Sequence, residues 1–335
     1  MIPLSLAVWS SKGGVSKTTI SINLGAMAAR GGWRVLIVDF DPQGNVVDGL
    51  GIDEDDRYDG GASLVAGLTN PEQLLVMADV RPGLDVVPGG PLSEPLAGMI
   101  HSLMANQPGD AFFVIDRMLE PIADRYDLIL FDLPPTPSPL HNAALTSLAF
   151  IVVPTATDKF ARGSLGSGFE RYRQIKRVSN PQLEILAAVV GKHELRLKRQ
   201  WELAVEEIRD VLGDHVVLIE PPIRYSQAAD GDMKEAGLVA SEYAMASRYS
   251  PKERVEWLKK LRVNQSTGDP SKATATPQYY SKTAAALAED YDKVLSQVLI
   301  LFQDAVLARD GVSLEEPESE NLHHLDDKLP NVVVL

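Results

Sequence analysis

The 335-residue chain contains no cysteine. That excludes a disulfide scaffold, a thiol nucleophile, a Cys zinc site and a Cys-ligated iron–sulfur cluster. No run of about 18 apolar residues occurs, the length that spans a bilayer. The N-terminus has neither a basic region nor a cleavage site ahead of its first apolar run, Leu4 to Trp9, so a cytoplasmic protein is the simplest expectation. Positive charge is also in deficit: 32 Lys and Arg face 46 Asp and Glu, a net charge of −14. Such a balance argues against a protein that coats nucleic acid over its whole surface, while leaving room for a local basic patch.

Hydrophobic residues make up 45% of the chain, enough to bury a sizeable core. The length suits one large α/β domain with additions, or two modest domains. Apolar runs recur at Leu4–Trp9, Val35–Val38, Leu84–Val87, Leu128–Phe131, Phe150–Val153, Glu184–Val190 and Val216–Ile219. Uninterrupted runs of this kind mark strands buried on both faces. Helix-forming stretches fall between several of them, at Thr18–Arg30, Ala62–Leu68, Glu72–Ala78, Ser93–Met104 and Phe112–Arg125. The alternation predicts an α/β fold, a doubly wound, mostly parallel sheet flanked by helices. We expect one such domain over residues 1–309. Near its end, Ser281–Val306 reads as a long amphipathic helix, with Leu287, Tyr291, Val294, Leu295, Val298, Leu299 and Phe302 at three- and four-residue spacing. Over residues 310–335 seven acids meet one base, which predicts a mobile acidic tail.

Chemistry concentrates first at Lys12-Gly13-Gly14-Val15-Ser16-Lys17-Thr18-Thr19, between a strand and a helix. A triphosphate needs several backbone N–H groups converging on it. Glycines let the chain wrap closely, and the N-terminus of the next helix adds a favourable dipole. In such a loop Lys17 reaches the β- and γ-phosphates and the Thr18 hydroxyl binds Mg²⁺. The ordinary pattern, Gly-x4-Gly-Lys-Thr, is not met, because Ser11 and Ser16 stand at the outer glycine positions. A second lysine, Lys12, stands five residues before Lys17 instead. Two acidic motifs follow. Asp39 and Asp41, in Val38-Asp39-Phe40-Asp41-Pro42-Gln43-Gly44-Asn45, lie two apart at a strand's carboxyl end and therefore point to one face, at the edge where α/β sheets bind ligands. Asp132 follows the buried run Leu128–Phe131 directly, as an acid that holds Mg²⁺ directly or through water does.

The two-lysine loop resembles the deviant Walker A motif of the ParA/MinD family of ATPases. Asp41-Pro42-Gln43-Gly44-Asn45 looks very like the family's switch I segment. Tyr126-Asp127-Leu128-Ile129-Leu130-Phe131-Asp132-Leu133-Pro134-Pro135 matches its Tyr-Asp-x4-Asp-x-Pro-Pro. Weaker similarity continues through Leu84–Gly90, Ile151–Thr155 and Ile219–Ala228; the last resembles a region near the adenine. The resemblance is dense over residues 4–50 and 126–165, and absent over residues 245–278, which stand as an atypical insertion containing a helix at Pro251–Arg262. It implies a P-loop nucleoside triphosphatase that binds ATP and Mg²⁺ and forms a nucleotide-sandwich homodimer. It implies that Lys12 reaches the partner's phosphates, that Asp41 positions the attacking water, and that Asp39 organises the surroundings of the Mg²⁺ held by Thr18 and Asp132.

Family members use ATP-driven dimerisation to switch affinity for a surface, either nonspecific DNA or a membrane. Charge distribution bears on the choice. Between Leu165 and Asn264 the chain carries 17 Lys and Arg against 15 Asp and Glu, a near-neutral stretch in an acidic chain. Its basic clusters include Arg171, Arg173, Lys176 and Arg177; Lys192, Arg196, Lys198 and Arg199; and Arg248 and Lys252 with their successors. With Arg224, the residues Arg196, Lys198, Arg199, Arg248 and Lys252 are candidate DNA contacts. A membrane anchor is disfavoured, because the C-terminal end is acidic and an anchoring helix needs basic and bulky apolar faces. The chain starts at its first strand, so the helix-turn-helix extension of operator-binding relatives is not expected. The missing cysteines remove the family's electron-transfer branch. The expectation is a cytoplasmic, nucleoid-associated partition ATPase for plasmid or chromosome segregation, stimulated by a ParB-like centromere-binding protein. A membrane-switch ATPase and a positioner of protein cargo are the alternatives.

Overall fold

Residues 1–157, 159–194, 196–213, 216–249, 251–261 and 281–309 are described in a computed structural model of the protein. The acidic tail and residues 262–280, which include part of the atypical insertion, lie outside the described residues. Among the described residues eight strands form one sheet: β1 (Ser5–Val8), β2 (Val35–Asp39), β3 (Met77–Arg81), β4 (Leu84–Val87), β5 (Leu128–Asp132), β6 (Phe150–Thr155), β7 (Glu184–Val190) and β8 (Val217–Ile219). Their order is β3-β4-β2-β5-β1-β6-β7-β8, and only β3 and β4 pair antiparallel.

The helices are α1 (Lys17–Arg30), α2 (Asn45–Leu50), α3 (Ala62–Thr69), α4 (Leu96–Asn106), α5 (Pro108–Ala111), α6 (Val114–Ala123), α7 (Pro139–Ser147), α8 (Lys159–Val178), α9 (Lys198–Leu212), α10 (Gln227–Ala236), α11 (Ala240–Ala246), α12 (Pro251–Leu261) and α13 (Ala284–Arg309). They cover both faces of the sheet, which is why its strands are apolar without interruption. Alternate residues divide between two cores. Leu6, Val8, Val35, Ile37, Leu128 and Leu130 pack with α1, α2, α10, α11 and α13. Ala7, Leu36, Val38, Ile129 and Phe131 pack with α3, α4, α6, α7, α8 and α9. The apolar face of α13 is buried as its spacing requires, and Phe302 packs between the rings of Trp33 and Phe150 at 6.1 and 5.5 Å.

One expectation is overturned. The helix read at Glu72–Ala78 is a short 3-10 turn, Pro71–Gln73, followed by the edge strand β3. Asn70 caps that turn through a bond from the Glu72 N–H, and the chain is then drawn into the sheet by burial of Met77, Val80 and Arg81. The stretches at Ser93–Met104 and Phe112–Arg125 are helical over shifted ranges, as α4 and α6.

Candidate functional site

The carboxyl ends of β1, β2 and β5 are neighbours in the sheet, so the three motifs converge. Val8 and Asp39 both register with Asp132 across the parallel ladders. A cavity of ≈ 740 Å³ opens above them, lined on one side by Gly13, Gly14, Ser16, Lys17, Thr18, Thr19 and Asp41. The N-terminus of α1 faces this cavity with no acid in its first turn, an arrangement favourable to anions.

The buried charges are individually braced. Thr18 Oγ1 donates to Asp132 Oδ2 at 2.6 Å, and Ser21 Oγ lies 3.2 Å from Oδ1. Burial raises the Asp132 carboxyl to about 6, against the lowering effect of these hydroxyls and of Lys17. Asp39 is fully buried and accepts the backbone N–H groups of Asp41 at 2.9 Å and Val46 at 3.2 Å. Burial, then the charge of Asp132, holds it well above the usual carboxylate range. Asp41 Oδ1 accepts the Gln43 N–H at 3.0 Å. Lys17 Nζ donates to the Lys12 carbonyl at 2.8 Å, closing the loop on itself. Burial lowers the Lys17 pKa, while Asp132 and Asp41 raise it.

Two features of the backbone keep this wall close. Ser16 holds the left-handed conformation at φ 64° that its glycine-replacing position demands. Gly89 lies so near the acidic loop that an added Cβ would stand 2.7 Å from Asp39 Cγ and 2.6 Å from the Asp41 carbonyl. A divalent cation fits the donor set. The Thr18 hydroxyl and Asp41 sit on the cavity wall, Asp132 stands behind Thr18, and the buried carboxylates Asp39 and Asp132 are register partners on neighbouring strands, with the charge of Lys17 acting on Asp132. Among the described residues no three His, Cys, Asp or Glu side chains form a ready metal cage.

Sequence reasoning missed the facing wall. It is lined by Lys192, Tyr225, Gln227, Asp230, Met233 and Lys234 among others. Only the Ile219–Ala228 match pointed to this region. Lys192 is held at φ 51°, and the neighbouring bonds His193 N to Ile223 O and Gly191 N to Thr155 O pin the segment around it. The walls are tied together behind the cavity. Arg81, buried on β3, donates to the Leu50 carbonyl at the end of α2 and to the Gly237 carbonyl at the end of α10, and pairs with Glu242 at 2.7 Å. Ala240 N donates to Asn23 Oδ1 on α1 at 2.8 Å.

Not every residue of interest meets the cavity. Lys12 is half-exposed and lies outside its lining, as does the buried Asp39. Arg196, Lys198, Arg199, Arg248 and Lys252 are exposed elsewhere. Arg224, in contrast, is half-buried and ion-paired. Its guanidinium forks Asp290, with Nη2 to Oδ1 at 2.8 Å, and its backbone N–H donates to the same carboxylate. In the 171–177 cluster, Arg173 and Arg177 are exposed while other members bond within the fold. Arg171 donates to Asn142, Lys176 to the Leu183 carbonyl, and Arg173 lies over the Phe169 ring.

Strand, phosphate loop, helix and paired acids define a P-loop nucleotide-binding fold. A family profile described as AAA domain matches residues 5–185. The chain is similar to the sporulation initiation inhibitor protein Soj of Bacillus subtilis, 31% identical over 225 residues, 67% of this chain and 86% of that protein. It is similar to the chromosome partitioning protein ParA of Caulobacter vibrioides, 32% identical over 227 residues, 67% of this chain and 82% of that one. In fold it resembles an ATP complex of a McdA variant from Cyanothece, with TM-score 0.61 and 18% identity over 83% of this chain and 98% of that one. The chain belongs to the ParA/MinD family of P-loop ATPases.

Proposed function

We propose that the protein is a Mg²⁺-dependent partition ATPase that forms a nucleotide-sandwich homodimer and binds nonspecific DNA in its ATP state. The observation that carries the reading is the gathering of Lys17, Thr18 and Asp41 on one cavity wall, with Asp132 hydrogen-bonded behind Thr18. Phosphoryl transfer asks for positioning and charge neutralisation more than for covalent chemistry. Lys17 neutralises charge on the β- and γ-phosphates. Thr18 and Asp132 hold Mg²⁺, which when bound stabilises charge on the phosphate oxygens. Asp41 orients the attacking water, and Asp39 fixes the Asp41 loop through its two backbone bonds. The place of Lys12 outside its own cavity lining supports its service to the partner's phosphates across the dimer.

The exposed Arg196, Lys198, Arg199, Arg248 and Lys252 supply phosphate contacts on DNA. A ParB-like partner stimulates hydrolysis and release, in a cytoplasmic, nucleoid-associated protein that segregates a plasmid or chromosome. The partitioning names of the Soj and ParA relatives support that setting. Among the described residues no helix is long and apolar enough to cross a membrane. Co-sedimentation with duplex DNA, run beside anionic liposomes in ATP, ADP and no nucleotide, tests the reading. DNA binding with ATP alone, weakening steeply as salt rises, is expected. Liposome binding without DNA binding would replace it with a membrane switch.

A further inference from the structure

The loop after Asp132 carries Pro134 and Pro135, and neither offers an N–H by which a neighbour can hold it. Its handle is a carbonyl. His141, in the first turn of α7, is 1% exposed, and its Nε2 lies 2.7 Å from the Pro134 oxygen. A carbonyl only accepts, so Nε2 bears the proton. Nδ1 is then an acceptor, and the Ser138 hydroxyl donates to it at 3.2 Å. One tautomer therefore satisfies both ring nitrogens. Burial pushes the ring's pKa down to about 4, and the charges of Arg171 and Lys17 act in the same direction. The ring stays neutral, and its donor stays in place, around neutral pH.

The next residue along the loop reaches the phosphate loop. A Cβ placed on Gly13 would stand 3.6 Å from Pro135 Cβ, ordinary packing contact, and both residues line the cavity. On its other side α7 is anchored. Leu140, Ala143, Ala144 and Leu145 are buried in the core, and Arg171 of α8 donates to Asn142 at 2.6 Å. His141 thus joins a fixed helix to a loop that closes against Gly13.

We propose that His141 is a positioning residue for ATP hydrolysis: its Nε2–H latches the Pro134 carbonyl and so seats Pro135 against the phosphate loop. The inference rests on the ATPase reading above. His141 acts through Pro135 and touches no phosphate itself. Losing the latch leaves Lys17 and Thr18 in place, so ATP binding survives while turnover falls.

The test compares full-length His141→Leu, which keeps bulk and loses the donor, with His141→Gln, whose amide N–H restores it. Steady-state hydrolysis is measured beside hydrogen exchange with a non-hydrolysable ATP analogue bound. His141→Leu is expected to lower kcat about 5- to 50-fold, the range between one lost hydrogen bond and a small misplacement of the site. KM for ATP stays within about threefold, as removal of an interaction felt only in the transition state requires. Exchange at the Leu133 and Thr136 amides rises while β5 stays protected, and His141→Gln recovers both readouts. Unchanged kcat and exchange in His141→Leu overturn the proposal. So do losses that His141→Gln fails to restore in a folded protein. Should His141→Leu not fold, His141→Asn, too short to reach Pro134, takes its place. Absence of hydrolysis by the unaltered protein would defeat the ATPase reading, and the exchange comparison would still decide the latch.

Discussion

Lys17 and Thr18 reach the cavity from the N-terminus of α1 and Asp41 from the loop after β2, whereas Lys192 reaches it from beyond the end of β7 and Gln227 and Asp230 from α10, in the other half of the chain. The first wall is held by the sheet itself, since Asp39 and Asp132 are register partners and Phe40 N donates to the Asp132 carbonyl. The second is held by cross-ties, chiefly Arg81 and Asn23. An added Cβ on Gly237 would stand 2.3 Å from Gly51 Cα, so α2 and α10 meet there through bare backbone. Groups whose charge must be placed closely stand on rigid elements, and the remainder of the pocket is assembled around them by tertiary contacts. Damage to the first wall should therefore appear in turnover, and damage to the ties in stability.

The largest effect belongs to the first wall. Lys17→Ala should lower Mg²⁺-ATP hydrolysis by about 10³-fold, measured as phosphate release, with the fold intact. The ties come next. Arg81→Leu leaves Glu242 without its buried partner and should cost about 3–5 kcal/mol in urea denaturation, much of it recovered by replacing Glu242 with Leu as well. Acid separates the latch from both. The folded pKa of His141, about 4, lies below the ordinary 6.5. Its contribution is therefore fully present above pH 6.5 and is lost as pH falls toward 4, by up to about 3 kcal/mol. Denaturation of His141→Gln across that window should show a shallower acid decline than the unaltered protein. The smallest effect tests strain in the loop. Ser16→Gly should stabilise by about 1 kcal/mol, seen as a raised Tm with hydrolysis retained, because left-handed backbone no longer carries a Cβ.

The same contrast explains what the sequence disclosed. The strands were readable because burial on both faces makes them continuously apolar, and the phosphate loop and both acids because each sits directly at a strand end in a contiguous motif. Strand β3 escaped notice. Its residues Met77-Ala78-Asp79-Val80-Arg81 follow a bulged burial pattern, and Arg81 is charged yet buried. No local propensity announces an arginine whose partners are carbonyls 31 and 156 residues away. Lys192 reads only as one of a basic cluster and Asp230 not at all, since the two share no spacing and meet at one cavity only in the fold. His141 belongs to no motif in the sequence, and only the fold brings its ring to the Pro134 carbonyl.

In the function proposed above, Asp41 serves the chemical step within an ATP-bound dimer. Light scattering and phosphate release on one Asp41→Ala sample test it together. The expected result is a stable dimer with Mg²⁺-ATP and no phosphate release above background. Unchanged phosphate release, or a protein that stays monomeric with ATP, would contradict it.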